Sequence, residues 1–319
     1  MASPIADLTY RNYDGPLEPP INRWWAIAKL SMKLSTKKKG FWFWSAMSCF
    51  WYVILLIIFY VNETIVSNTG PLGQKASIFN TLVWKDQFLN AFNESQLFLF
   101  ILALLMGAGT IANDNRAKAL LVYLSKPCTK LDYVIGKWLG IFVPMTLVTA
   151  APALSFYFYC LMSYRTYGFW TQDPWLIVRL VGMIMLPGIC YSSISLAVSS
   201  MFQQGRLAGG VFAGVYFMSN FVTLFMGGAY FAMANGGGTP PAIVSTLYYC
   251  SIDGIQNAVV KILFHTNGSP TIPIALPQGA VRLQVPEPSW YVFLPAFFAI
   301  CGLSILVAWS QIRAVEVVR

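Results

Sequence analysis

The chain has 319 residues, of which 57% are hydrophobic and 10% charged, with a mean hydropathy of +0.59. A soluble domain carries charge on about a quarter of its residues, so this balance excludes an ordinary water-soluble globule and points to an all-α, polytopic membrane protein. The net charge of +9 would suggest nucleic acid as a partner only if its placement had no other cause, and the membrane supplies one.

Residues 1–40 form a cytoplasmic tail followed by an amphipathic helix. The opening "MASPIADLTYRNYDGPLEPPINRWW" is polar and proline-rich, with neither the apolar core nor the small-residue cleavage site of a signal peptide. In "INRWWAIAKLSMKLSTKKKGFW", helical spacing gathers Trp24, Trp25, Ile27, Ala28, Leu30, Met32 and Leu34 on one broad arc, with Lys29, Lys33 and Lys37 opposite. Lysines one turn apart repel in water and are favourable against anionic headgroups, so an interfacial elbow is expected, with Trp24, Trp25, Lys29, Lys33 and Lys37 at the membrane surface.

A helix needs about 20 mostly apolar residues to cross the hydrocarbon core. Six stretches qualify: 41–61, 92–112, 138–164, 175–201, 207–234 and 289–312. Together they make a six-helix transmembrane domain over 41–312, with an extracytoplasmic segment at 235–288 and a cytoplasmic tail at 313–319. Pro144 and Pro152 punctuate the third span. The fourth holds Pro187-Gly188 and then Ser192, Ser193, Ser195, Ser199 and Ser200, a kink whose freed carbonyl the serines can satisfy. The fifth opens "GRLAGGVFAGVYF", where Gly205/Gly209 and Gly210/Gly214 are spaced as GxxxG, the pattern of closely approaching membrane helices. A subunit interface and internal packing would both use it. A seventh segment, 241–264, contains Asp253, Gly254 and Lys261 and reads as an interfacial or re-entrant helix.

With six spans and the amino end inside, segments 1–40, 113–137, 202–206 and 313–319 hold 15 of the 21 Lys and Arg with 6 of the 12 Asp and Glu, a surplus of +9, while the other side holds 6 of each. The whole net charge lies on one side, as the positive-inside rule requires, with both termini cytoplasmic. The Asn-x-Ser/Thr triplets at Asn62, Asn93 and Asn267 fall on the other side and read as chance matches. The six cysteines are scattered singly, without a CxxC, and behave as small apolar residues.

Ionisable groups are scarce in the spans: Glu94 sits near the start of the second, and Arg179 lies about one turn into the fourth, where it can snorkel outward. No charged group is expected deep in the bilayer, which disfavours an ion-coupled carrier. A single histidine, His265, excludes an H-E-x-x-H zinc site, and the chain has no G-x-x-x-x-G-K-[ST] loop for ATP. An enzyme is not expected, nor a cofactor or metal.

The loop "NDNRAKALLVYLSKPCTKLDYVIGK", 113–137, interrupts this apolar chain. As a helix from Asn113 it presents Ala117, Leu120, Leu121 and Leu124 at i, i+3, i+4 and i+7, with Asp114 favourable in the first turn and Ser125-Lys126-Pro127 as a stop. A second short turn, "TKLDYVIGK", re-enters the membrane. The apolar stripe and tight stop suit docking into a protein groove.

"GAGTIANDNRAKALLVYLSKPCTKLDYVIGK" resembles the loop of permease subunits of ATP-binding-cassette (ABC) transporters of the second exporter type: a glycine-rich end of span two, an acidic residue (Asp114), an apolar helix, a Tyr123-Leu124-Ser125-Lys126-Pro127 turn and a closing Tyr133-Val134-Ile135-Gly136-Lys137. The tail "RAVEVVR" is also similar. The resemblance implies a permease subunit of an exporter in a bacterial cytoplasmic (inner) membrane. Its partners would be a separate ABC ATPase subunit, a second permease copy or homologous permease, and lipid, with no nucleic acid. It also implies that 113–127 is the coupling helix, with Asp114, Arg116, Ala117, Leu120, Leu121, Leu124 and Pro127 at the ATPase contact, and that Gly205, Gly209, Gly210 and Gly214 face the second permease. The 241–264 segment would match the short helices before the last span that cap the outer exit. Lys118 and Asn113 depart from the usual pattern, where a small and an acidic residue are frequent. The alternative is a membrane subunit of a larger assembly that transports nothing.

Overall fold

The computed structural model describes residues 23–69, 82–118, 129–236, 240–269 and 285–312. Every regular element among them is helical: α1 Arg23–Thr36, α2 Lys39–Thr69, α3 Trp84–Gly107, α4 Ala112–Arg116, α5 Lys130–Ser163, α6 Phe169–Gln172, α7 Leu176–Met201, α8 Gly205–Asn235, α9 Ala242–Tyr248, α10 Ile252–Phe264 and α11 Trp290–Gln311. Six of these are long and apolar enough to cross a membrane: α2, α3 continued by α4, α5, α7, α8 and α11. The tail 313–319, like Leu120, Leu121, Leu124 and Pro127, lies outside the described residues.

α7 is the axis of the bundle. It packs against α3, α5, α8, α10 and α11, and it is the most buried of the six long helices. Its own sequence explains this, because lipid gives no hydrophobic drive to helix pairing and close contact rests on small residues. A Cβ at Gly182 would lie 2.8 Å from Leu263 of α10, and one at Gly188 would lie 2.6 Å from Thr146 of α5. Ser192, Ser193, Ser195, Ser199 and Ser200 are all buried. Ser193 donates to the Ile189 carbonyl at 2.7 Å and accepts from the Trp138 indole of α5 at 3.0 Å. The serines are thus packing and crosslinking groups in the interior.

α1 crosses the first turns of α5. Ile27, Ala28, Ser31 and Ser35 are its buried residues, and Gly136 and Gly140 of α5 make room for them. A Cβ at position 136 would stand 2.7 Å from the Trp24 carbonyl oxygen, and one at 140 would overlap the Ser31 side chain. The apolar arc read from the sequence is therefore divided: Ile27 and Ala28 face protein, while Trp25, Leu30 and Leu34 stay exposed beside Lys29, Lys33 and Lys37.

At the opposite end of the bundle, α9 and α10 form a helical hairpin over the stretch read as interfacial or re-entrant. α9 runs along α8, with Tyr248 against Gly227, and α10 returns along α7 and α11. Its turn is set by Ser251, whose side chain accepts from Gly254 N–H at 2.8 Å as an N-cap. Its far end is strapped to α3. Lys85 donates to the Phe264 and His265 carbonyls at 2.9 and 2.6 Å, placing a cation at the negative end of the helix dipole. Thr266 donates to the buried Asp86 carboxylate at 2.5 Å.

The α1–α5 crossing yields a sharp expectation. Gly136→Val forces a side chain into a backbone carbonyl and should cost about 1–3 kcal/mol, lowering the thermal midpoint in detergent. Gly302→Val, at a position with nothing within 4 Å of a Cβ, should leave it unchanged.

Candidate functional site

The end of the bundle that carries the loop is built around a break in the second span. α3 ends at Gly107 and the chain turns through 108–111 before α4 resumes. The break leaves helix-end amides and carbonyls inside the protein, where each must find a partner. Ser199 of α7 supplies it: its fully buried hydroxyl accepts from Ile111 and Ala112 N–H, both at 3.0 Å, and donates to the Ala108 carbonyl at 2.9 Å. The glycines here are spatial requirements. A Cβ on Gly107 would overlap Ser195, and one on Gly205 would lie 2.9 Å from the Gly109 Cα.

α4 then aims Asp114 at α5. Its Oδ2 receives Lys137 Nζ at 2.7 Å and the Tyr133 hydroxyl at 2.7 Å. Tyr133 and Lys137 are one helical turn apart, so both reach the same carboxylate. Lys137 also donates to the Thr110 carbonyl at 3.2 Å and lies over the Tyr133 ring. The chain enters α5 through a capping box, in which Thr129 accepts from Asp132 N–H at 3.2 Å and the Asp132 carboxylate accepts from Thr129 N–H at 3.0 Å. The two limbs of the loop are thus clasped at their base.

Two readings change. The helix expected to run unbroken from Asn113 past Ala117 ends at Arg116, with Lys118 in the left-handed region at φ 54°. "TKLDYVIGK" is no separate turn but the capped start of the third span. Among the expected coupling residues, Asp114 is engaged inward by the clasp, and Arg116 and Ala117 are exposed at the loop root. Of the four span-five glycines, Gly205 and Gly209 meet Gly109 and Ala108 within the chain, while Gly210 and Gly214 have nothing within 4 Å. Trp25, Lys29, Lys33 and Lys37 are exposed and Trp24 is half-buried. Thr129 and Asp132 carry no role in the sequence reading, and Ser199 is placed there among serines serving a proline kink, whereas it serves the break in span two. The T-x-x-D spacing ahead of an apolar run was the available signal for Thr129 and Asp132; Ser199 had none beyond its place in a serine-rich stretch.

A second polar node lies inside the bundle. Asp253, in the first turn of α10, accepts from the Tyr191 and Tyr216 hydroxyls at 2.5 Å each and from the Asn220 amide at 3.1 Å. Tyr191 sits just past the midpoint of α7, and Tyr216 and Asn220 sit near the middle of α8. The hairpin thus carries an ionisable side chain in between α7 and α8, where hydropathy along the spans could not reveal it. Its carboxylate is filled by three donors from two long helices, the arrangement of a pin. Arg179 does not simply snorkel but pairs with Asp173 at 2.6 Å. Nearer the hairpin's outer end, Lys261 donates to Tyr249 Oη, the Asn267 carbonyl and the Val285 carbonyl at 3.1, 3.0 and 2.9 Å. Burial lowers its amine to about 8, against the raising pull of Asp86 and Glu287. No cluster of His, Cys, Asp and Glu suited to a metal occurs among the described residues.

A family model described as an ABC-2 family transporter protein matches residues 25–308. The chain belongs to that family and is an integral membrane protein, the permease component of an ABC transporter, a kind of subunit that is generally non-catalytic and works with an ABC ATPase. No curated protein matches it.

Two measurements follow from the hairpin. Tyr216→Phe removes one donor to a buried carboxylate and should cost about 1–2 kcal/mol; Asp253→Leu, which strands all three donors, should lower the thermal midpoint further. For Lys261 the unfolded amine titrates near 10.4, so between pH 8 and that value the unfolded chain binds more protons and stability rises with pH. The midpoint should climb from pH 8 to about 10 in the native chain, and this component should vanish in Lys261→Met.

Proposed function

We propose that the chain is the permease of an ABC exporter and that its 113–127 loop docks a separate ATPase subunit beneath the bundle. The clasp of Asp114 by Lys137 and Tyr133 carries this reading. A docking element transmits displacement only if its root is rigid, and here the root is fixed to span three by the ion pair and to span four through Ser199. Arg116 and Ala117 lead from that root toward the partner, and Leu120, Leu121 and Leu124 supply the apolar face, ended at Pro127. ATP binding would draw two ATPases together, and the clasped loops would pass that motion to spans two, three and four.

The loop end is the cytoplasmic one in this scheme, because the basic surplus collects there, with both termini on the same side and a bacterial cytoplasmic membrane as the location. α1 lies on that membrane surface, with Trp24 and Trp25 in the interface and Lys29, Lys33 and Lys37 at the headgroups. The permease unit spans 41–312. A second permease, identical or homologous, covers α8, the least buried of the six spans. Gly210 and Gly214 continue into an apolar groove at Phe221, Leu224, Phe225 and Gly228 along one helical stripe. Gly205 and Gly209 support that surface from behind.

Mild-detergent extraction from native membranes, with mass spectrometry of what co-purifies, tests the assignment. A Walker-motif ATPase in equal amount is expected; only other membrane-complex subunits would make the chain a structural component. Within the complex, Leu120→Asp or Leu124→Asp should leave expression intact and abolish stimulation of the ATPase, and unchanged stimulation would count against docking there. Asp114→Asn should keep the ATPase bound yet weaken its stimulation about tenfold, within the usual span of coupling energies.

A further inference from the structure

At the loop end, α1, α2 and α5 do not close on one another. Between them runs a groove of about 480 Å³ whose lining exposes no polar surface, framed by Met32 of α1, Trp42, Ala46 and Cys49 of α2, and Pro144 and Leu147 of α5. Small side chains, Ala46, Cys49 and Ala151, leave room along its walls. Its volume lies in the range of about 300–1,000 Å³ typical of small-molecule sites. Trp42 and Leu147 on its rim are 66% and 63% exposed, and the Trp42 indole donates to the Thr36 carbonyl at 3.0 Å, fixing the rim to the end of α1. The groove therefore opens toward the surroundings of the bundle.

Charge says what enters. Lys29 and Lys33 lie three residues before the lining residues Met32 and Thr36, on the adjoining face of α1, and Lys37 follows Thr36 directly. All three are exposed, and from Arg23 to Val61 the sequence has no Asp or Glu. A wholly apolar trough beside a row of cations that has no ion pair among the described residues matches an amphiphile with a long hydrocarbon chain and a negative head. We propose that this groove is a binding site for one anionic phospholipid, its acyl chain between α2 and α5 and its phosphate on Lys29, Lys33 and Lys37. The site rests on α1 lying at the membrane surface. A second copy of the chain is the poorer occupant, since it would set a helix against those lysines with no acidic face among the spans to meet them.

The test is native mass spectrometry of the purified chain in detergent, titrated with phosphatidylglycerol and phosphatidylcholine of identical acyl chains. One retained phosphatidylglycerol per chain is expected, preferred over phosphatidylcholine by about tenfold or more. Replacing Lys29, Lys33 and Lys37 together by Gln should equalise the two lipids. Ala46→Phe should fill the groove and remove the retained lipid; Cys49→Phe does the same from the next turn should the first variant not fold. Equal retention of both lipids by the native chain would overturn the proposal. A phosphatidylglycerol preference that survives groove filling would also overturn it, leaving α1 a surface helix without a site. A preference unaffected by loss of the lysines would remove the surface reading of α1 together with the site.

Discussion

One carboxylate holds the loop end of this protein together. Asp114 accepts from Lys137 and Tyr133, and the same lysine reaches back to the Thr110 carbonyl, so one charge network ties the broken end of span two to the start of span three. A half-buried ion pair is weak evidence for stability, because desolvation and solvent screening offset much of its attraction. Its contribution here is geometric. The clasp leaves the break between α3 and α4 a single arrangement, with the exposed root of the loop leaving the bundle at a defined place.

Around that network the helices meet through what their sequences leave out. Gly107 on Ser195, Gly136 on the Trp24 carbonyl, Gly188 on Thr146 and Gly205 on Gly109 are four crossings at which a methyl group would collide. In the closing Tyr133-Val134-Ile135-Gly136-Lys137 stretch, Tyr133 and Lys137 take one face toward Asp114, while Gly136 opens another to α1. One short motif therefore fixes both the loop and the elbow helix. This is why it reads as a unit in the sequence, although its parts act on different neighbours.

The spans and the family were legible because both are written in local sequence: apolar length, charge asymmetry and a contiguous loop pattern. What escaped was depth and continuity. Hydropathy reported Asp253 as a reason why 241–264 should not cross, and that was correct, but it could not say that a hairpin would lower that aspartate between Tyr191 and Tyr216. The glycines of span five looked equivalent by spacing, yet Gly205 faces the break between α3 and α4 while Gly214 faces outward, a distinction set by where α8 leans. The unbroken helix read from Asn113 rested on the apolar period, which counts side chains and is blind to the left-handed backbone at Lys118.

The two polar nodes are not independent. Ser199 and Tyr191 belong to α7 and are separated by eight residues, about 12 Å along the axis. Pro187, the residue able to kink this helix, lies on the far side of Tyr191. The segment that joins the loop break to the Asp253 pin is therefore continuous helix, and the proline lies beyond both. Ser199, which holds the break, and Tyr191, which reaches the pin, are thus parts of one uninterrupted helical segment. The pin joins α7 to α8 through one hairpin residue, so relative motion of those helices must strain or release hydrogen bonds at Asp253. The physical link between the loop break and the Asp253 pin is thus a short stretch of α7 with a hydroxyl at each end.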